Sequence, residues 1–220
     1  GAGGPGGGFL GELRGALGVD PPAGWHPVAP EGLDELLRRP PGAEVVAEGI
    51  AAGQARVAGA MGGDRRGHGW TTRSRGADFG DDVAYRAAFA QVSLAGHLPV
   101  ENRSYTRPFD GSVPATLRFG PGEEPPVDGF WSLCLYGPDL FFVDNEIDRY
   151  SIGERTSGLR RDAGSGLTIT IGAERPAGAD GAANWLPAPP GPCFLALRAY
   201  EGRHPVVAAE WFPPDLVPVA

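Results

Sequence analysis

The sequence predicts a mainly β protein: an antiparallel, jelly-roll-like β-sandwich preceded by an N-terminal α-helical arm. Three observations carry this. The spacing of apolar residues changes from helical to alternating near residue 100. From there "DG", "GPGEEPP", "GPD", "GSG" and "PPGP" separate short apolar runs, as turns separate strands. Gly (36) and Pro (23) are abundant in a chain of 220 residues, as many turns require. The expected organisation is a flexible lead over 1–8, a helical arm and connector over 9–98, and the sandwich over 99–220.

Within the arm, "FLGELRGALGV" (9–19) places Phe9, Leu10, Leu13 and Leu17 on one side of a short helix. "PEGLDELLRR" (30–39) starts with Pro and is stopped by Pro40-Pro41. "AEVVAEGIAAGQARVAGAM" (43–61) spaces Val46, Ile50 and Val57 helically and ends at Gly62-Gly63. Residues 63–80 read as a loop. Asp81 or Asp82 then caps a helix expected over 83–97, with Tyr85, Phe89, Val92 and Leu94 supplying bulk. Strands are expected at 102–109, 113–119, 129–137, 141–145, 167–172, 193–200 and 206–212. Seven short strands at turn-punctuated intervals indicate a sandwich.

Composition excludes several chemistries. The net charge is −8, from 19 basic and 27 acidic residues. Neither nucleic acid nor an anionic lipid surface is an expected partner. All the basic residues are Arg, so no Lys can form a Schiff base or serve as an amine base. Cys134 and Cys193 lie in apolar runs and read first as buried free thiols, with one disulfide or a reactive thiol as the alternatives. The four His are scattered without paired spacing, so neither a metal site nor a cofactor is expected. No stretch reaches the roughly 18 apolar residues of a membrane helix. No signal peptide is read, and a cytoplasmic location is expected. Export stays open, because the chain starts "GAGGPGGG" without Met.

"FFVDNEIDRYSIGERTSGLRR" (141–161) gathers the most chemistry. If extended, it puts Asp144, Glu146, Asp148 and Tyr150 on one face. Read functionally, Glu146 and Asp148 are acid/base carboxylates, while Asn145, Arg149, Tyr150 and Arg155 hold a ligand. Read structurally, Asn145 and Asp148 turn the backbone, and Arg149 and Arg155 make bidentate ion pairs that fix a long loop. "ANWLPAPPGP" (183–192) offers Asn184 and Trp185 either as a sugar platform or as a plug at the end of the sandwich. "FWSLCLY" (130–136) puts Phe130, Ser132, Cys134 and Tyr136 on one face, which either lines a pocket or packs inertly. "NRSYTR" (102–107) alternates Arg103, Tyr105 and Arg107 against Asn102, Ser104 and Thr106, and reads as a solvated or interface strand. No GxSxG elbow is present.

The run "PPVDGFWSLCLYG...FFVDNEIDRYSIGERTSGLRR...GSGLTITI...ANWLPAPPGPCFLALRAY" resembles the bacterial family labelled domain of unknown function 1214, over about residues 70–212. The resemblance implies a jelly-roll sandwich, usually the C-terminal half of a two-domain protein, with 9–61 as the helical connector. It carries no reaction. This chain has Asp148 where the family usually has Asn, and Glu154 where it usually has Asp.

Two functions follow. The first is a site for a small polar molecule or carbohydrate, with metal-independent acid/base catalysis by Glu146 or Asp148 as in a lyase, isomerase or glycoside-type hydrolase. The alternative is a non-catalytic interaction module that forms a homodimer or docks to a separate partner domain.

Overall fold

In the computed structural model, the structure describes residues 42–93, 96–178 and 182–219. The lead at 1–8 and the helices expected at 9–19 and 30–39 lie outside the described residues, as does Leu94. Helix α1 (Ala43–Gly59) forms as expected, and none of its residues is buried. It belongs to a separate unit from the compact one spanning Met61–Ala220.

The loop expected over 63–80 instead begins with a hairpin, β1 (Asp64–Gly67) and β2 (Trp70–Arg73). His68 and Gly69 both have positive φ, 51° and 78°. That is the two-residue turn whose twist suits a hairpin. Trp70 is fully buried, and Arg73 pairs with Asp64 at 2.6 Å at the open end. Helix α2 (Val83–Val92) follows. Its cap is Asp82, whose Oδ1 accepts from the Tyr85 amide at 3.0 Å. The helix stops at Val92 rather than at 97 because Ser93 is already extended. Val92 is exposed, and the bulk comes from the mutually packed rings of Phe79, Tyr85 and Phe89.

The remaining strands are β3 (Asn102–Asp110), β4 (Ala115–Phe119), β5 (Trp131–Tyr136), β6 (Ser151–Gly153), β7 (Leu167–Gly172), β8 (Trp185–Pro187), β9 (Pro192–Tyr200) and β10 (Leu216–Pro218). They form a six-stranded sheet, β1-β2-β3-β9-β5-β6, and a four-stranded sheet, β10-β4-β7-β8. Pairing is antiparallel except for β7 with β8. The spine is the ladder of β3 on β9, which runs in register from Asn102↔Tyr200 to Asp110↔Pro192. One core lies between the sheets, including Tyr105, Leu117, Phe119, Trp131, Leu133, Ile169, Leu195 and Leu197. The jelly-roll-like sandwich is therefore as the sequence predicts.

Two expected strands fail. Residues 141–145 form a turn that touches the sheet only at a Tyr136↔Phe142 bridge. Residues 206–212 open instead as a short helix, α3 (His204–Val207), with Pro205 in its first turn, where a fixed φ favours helix. The three-residue strands β6, β8 and β10 are not among the expected ones. Gly153 in β6 has a physical reason: a Cβ there would stand 2.3 Å from the Trp131 carbonyl oxygen.

Side chains close both edges of the sandwich. At the β1–β2 edge, Trp70 Nε1 donates to the Pro214 carbonyl (2.9 Å), His68 Nδ1 donates to that of Pro213 (3.0 Å), and Arg107 pairs with Asp215 (2.5 Å). At the other edge Arg149, just before β6, reaches the chain leading into β8. Both cysteines are free and buried, as expected.

Candidate functional site

The segment 141–155 is not an extended face of carboxylates but a turn built around Asn145. Asn145 Oδ1 accepts from the amides of Ile147 (3.3 Å) and Arg149 (2.9 Å), and Nδ2 donates to the carbonyls of Val143 and Arg149. Asp148 takes a positive φ of 49° inside it, a conformation that Asp tolerates better than most residues. Arg149 makes no ion pair among the described residues. Its Nη1 donates to the carbonyls of Ala182 (3.3 Å), Ala183 (2.9 Å) and Trp185 (2.8 Å). The loop is thus fixed by amide and guanidinium bonds to backbone rather than by the bidentate ion pairs expected. Glu146 and Asp148 are exposed. Asp148 accepts from the Tyr150 hydroxyl at 3.2 Å. Desolvation, reinforced by that bond, raises the Tyr150 pKa. Arg155 is exposed and sits over the Phe130 ring at 4.2 Å.

Asn184 and Trp185 face inward. Asn184 Oδ1 accepts from the Arg160 amide, and Nδ2 donates to the carbonyls of Arg160 and Thr168. Trp185 is 2% exposed and donates from Nε1 to the Gly172 carbonyl at 2.9 Å. A buried ring offers no open platform, and Trp185 is instead a buried residue of the edge strand β8. The structure therefore gathers Asn145, Arg149, Asn184 and Trp185 around one edge of the sandwich. It leaves Glu146, Asp148 and Arg155 at the surface.

A different surface concentrates chemistry: the outer face of the six-stranded sheet. Strand alternation and register place Phe130, Ser132, Cys134 and Tyr136 of β5 and its approach beside Phe194, Ala196, Arg198 and Tyr200 of β9, with Ser104 and Thr106 of β3 beyond. Two cross-strand ring pairs bound it. Phe130 stacks on Tyr200 at 4.3 Å, and Tyr136 on Phe194 at 5.2 Å. The pairs are six residues apart along both strands, about 20 Å at ~3.4 Å per residue. Between them the side chains are small, except for Arg198.

Arg198 is half-buried, flanked in register by Ser104 and Ser132, with its guanidinium carbon 5.3 Å from the Tyr136 ring centre. It has no carboxylate partner among the described residues. Burial draws its pKa down, but the Tyr136 phenol and Cys134 thiol outweigh this and the net direction is upward. Burial raises the Tyr136 pKa in turn. That phenol is uncharged at neutral pH, so it hydrogen-bonds the cation without neutralising it.

Next to this face, a cleft of about 60 Å³ lies where α2 meets the start of β3, lined by Phe89, His97, Asn102, Arg103 and Ser104 among others. Arg103 is buried, not solvated as its strand pattern suggested. It donates to the carbonyls of Arg73 (2.7 Å) and Val207 (2.5 Å). Asn102 Nδ2, Arg103 Nε and the buried Tyr105 hydroxyl have no hydrogen-bond partner among the described residues. Burial lowers the Arg103 pKa and raises that of Tyr105.

Arg198 was not singled out from the sequence, although alternation within "CFLALRAY" puts it on one face with Phe194 and Tyr200. The companion face of "FWSLCLY" reads from the sequence either as a pocket lining or as inert packing.

Residues 100–204 match the family described as protein of unknown function, DUF1214. The chain is a β-sandwich protein carrying a DUF1214 domain, and that domain contains the whole set of rings and hydroxyls around Arg198. Among solved structures it is similar to the VPA0106 protein of Vibrio parahaemolyticus, with 21% identity and a TM-score of 0.56 over 97% of this chain and 52% of that one. This chain spans about half the length of that protein. A putative uncharacterised protein from Burkholderia cenocepacia matches at 17% identity and a TM-score of 0.39, over 54% of this chain and 29% of that one. No curated protein matches the chain.

Proposed function

We propose that this protein is a binding module whose site is the outer face of the six-stranded sheet, and that it holds a small polar ligand there without acid/base catalysis. One observation carries the reading: Arg198 is half-buried on an open sheet face, has no carboxylate partner among the described residues, and stands between two ring pairs over a floor of small side chains. A desolvated cation is costly unless something pairs with it, and a ligand is the partner this face can receive. The carboxylates Glu146 and Asp148 take no part, since both stand in water. Arg149, Asn184 and Trp185 hold the edge of the sandwich.

The test is a thermal-shift screen with small acids, phosphates and sugars against the parent, Arg198→Met and Arg149→Met. A ligand that stabilises the parent and Arg149→Met but not a folded Arg198→Met supports the reading. A ligand whose effect depends on Arg149 and not on Arg198 returns the site to 144–155.

A second reading is docking of a partner, as a second copy or a separate domain. It is favoured by the turn at 140–142, where Leu140, Phe141 and Phe142 are 56%, 73% and 49% exposed. Phe142 also stacks on Tyr136 at 4.8 Å, so this turn adjoins the ring-lined face. Sedimentation of the parent and Phe141→Ser tests it: self-association that the substitution abolishes supports a dimer.

A further inference from the structure

The geometry points to an oxyanion on a short apolar chain, a carboxylate or a phosphate monoester, as the ligand of the outer sheet face in preference to a neutral sugar. This rests on the reading of that face as the binding surface and names its ligand class.

The rings give the first reason. Sugars are held on the open face of an aromatic ring, and here stacking takes up ring faces. Tyr136 stacks on Phe142 (4.8 Å, 18°) and on Phe194 (5.2 Å, 15°). Phe130 stacks on Tyr200 (4.3 Å, 13°), and Arg155 lies over Phe130. Stacking of neighbouring strands' rings stands them up from the sheet, so a ligand on the floor meets ring edges. Edges carry the positive end of the ring quadrupole, which suits oxygen anions and not the C–H face of a pyranose.

Charge gives the second. The chain carries 27 acidic residues against 19 basic ones. Yet the outer positions of β3, β5 and β9 hold one carboxylate, Asp110 at the far end of β3, where it accepts from the Ser112 amide. The same face carries one further carboxylate on β1, Asp64, which Arg73 already pairs, so the stretch around the Arg198 guanidinium attracts anions in a protein that elsewhere repels them.

Donor geometry gives the third. A guanidinium is a planar fork that matches a carboxylate or phosphate in two parallel bonds. The Ser132 hydroxyl flanks it in register and adds a donor, while the Ser104 hydroxyl on the other side already donates to Asn102 Oδ1 at 3.1 Å. The Leu140–Phe142 turn beside Tyr136 gives an apolar chain something to cover.

The experiment follows the Arg Nε–H signals by NMR, with the Arg198 signal assigned by its loss in Arg198→Met. Hexanoate, hexyl phosphate and hexyl glucoside are the probes, since they share one apolar chain and differ in head group. Either acid should shift the Arg198 signal saturably, and hexyl glucoside should not. In Arg198→Met the affinity for the acid, read from backbone amides of β5 and β9, should fall at least tenfold. Arg198→Lys, which keeps the charge but not the fork, should fall less and serves if the Met variant does not fold. Hexyl glucoside binding the same face as tightly as the acids overturns the ligand class and leaves the face as the binding surface. No response on β5 or β9 to any probe, or acid binding undiminished without Arg198, overturns both.

Discussion

Replacing Arg149 by Met should destabilise the protein, whereas replacing Arg198 by Met should not. The difference follows from what each guanidinium touches. Arg149 Nη1 serves three carbonyls on the chain entering β8. A hydrogen bond from a charged donor contributes about 1.5–3 kcal/mol, and a buried carbonyl left without a donor costs about 1–3 kcal/mol. The three bonds share one nitrogen, and Arg149 is half-buried, so water recovers part of the loss. The net expected cost is about 2–4 kcal/mol. At roughly 2–4 °C per kcal/mol for a unit of this size, the melting temperature falls by roughly 4–16 °C. Arg198 has no carboxylate to lose, and its methionine variant keeps the apolar stem over the sheet. It gives up its bond to the neutral Tyr136 phenol and its ring contact, so its change should stay within about 1 kcal/mol. The assay is urea unfolding followed by circular dichroism, with thermal melts alongside. An Arg149→Met loss below about 1 kcal/mol at unchanged m-value, or an Arg198→Met loss as large as that of Arg149→Met, refutes the assignment of latch and site.

Other outcomes are expected. Leu197→Ala, at a fully buried core position between β3 and β5, should cost about 2–5 kcal/mol in denaturant unfolding. Gly153→Ala should detach β6, because the added methyl meets the Trp131 carbonyl at 2.3 Å; faster amide exchange at Ser151–Gly153 checks this. In acid, the Tyr85 amide bond holds the Asp82 pKa below its usual value, and the Arg107 bond does the same for Asp215. Depressed folded-state values mean stability that is complete above the unfolded carboxylate pKa, near 4, and is lost as pH falls through the folded values. Asp82→Asn and Asp215→Asn should each flatten the stability profile below pH 4 and leave its slope unchanged between pH 6 and 8.

The β3, β7 and β9 strands were legible because each combines alternation with flanking turn residues and has a long partner. The failures have local causes. The β1–β2 hairpin is hidden because Arg65 and Arg66 sit where alternation looks for apolar residues, and its buried positions are one large apolar residue, Trp70, and one polar one, Thr72. The "VVAAEWF" run alternates poorly, and Pro205 starts a helix before it. The strands β6 and β8 are too short to show a period and exist because the sheet and Arg149 hold them. For the site, residue type drew attention to the carboxylates of 144–154, which stand in water. Arg198 is one cation in an apolar strand, and it becomes distinctive only when β5 and β9 pair and bring two sets of rings around it. That arrangement joins residues some sixty positions apart, beyond the reach of any local pattern.

The two edge closures differ in how much chain they enclose. Arg149 reaches partners 33 to 36 residues away, while Trp70 and His68 reach theirs across 144 and 145. Shorter loops cost less entropy to close and form sooner. During synthesis the β6–β8 edge is therefore expected to seal while the chain is still emerging. The β1–β2 edge must wait until residues 213–218 have emerged as well. Until then the Trp70 indole has no acceptor and one side of the core lies open. A nascent chain is thus most exposed to misassociation between the sealing of the first edge and the arrival of Pro213 and Pro214, and a chain cut at Phe212 should give a sandwich that folds along one seam and gapes along the other.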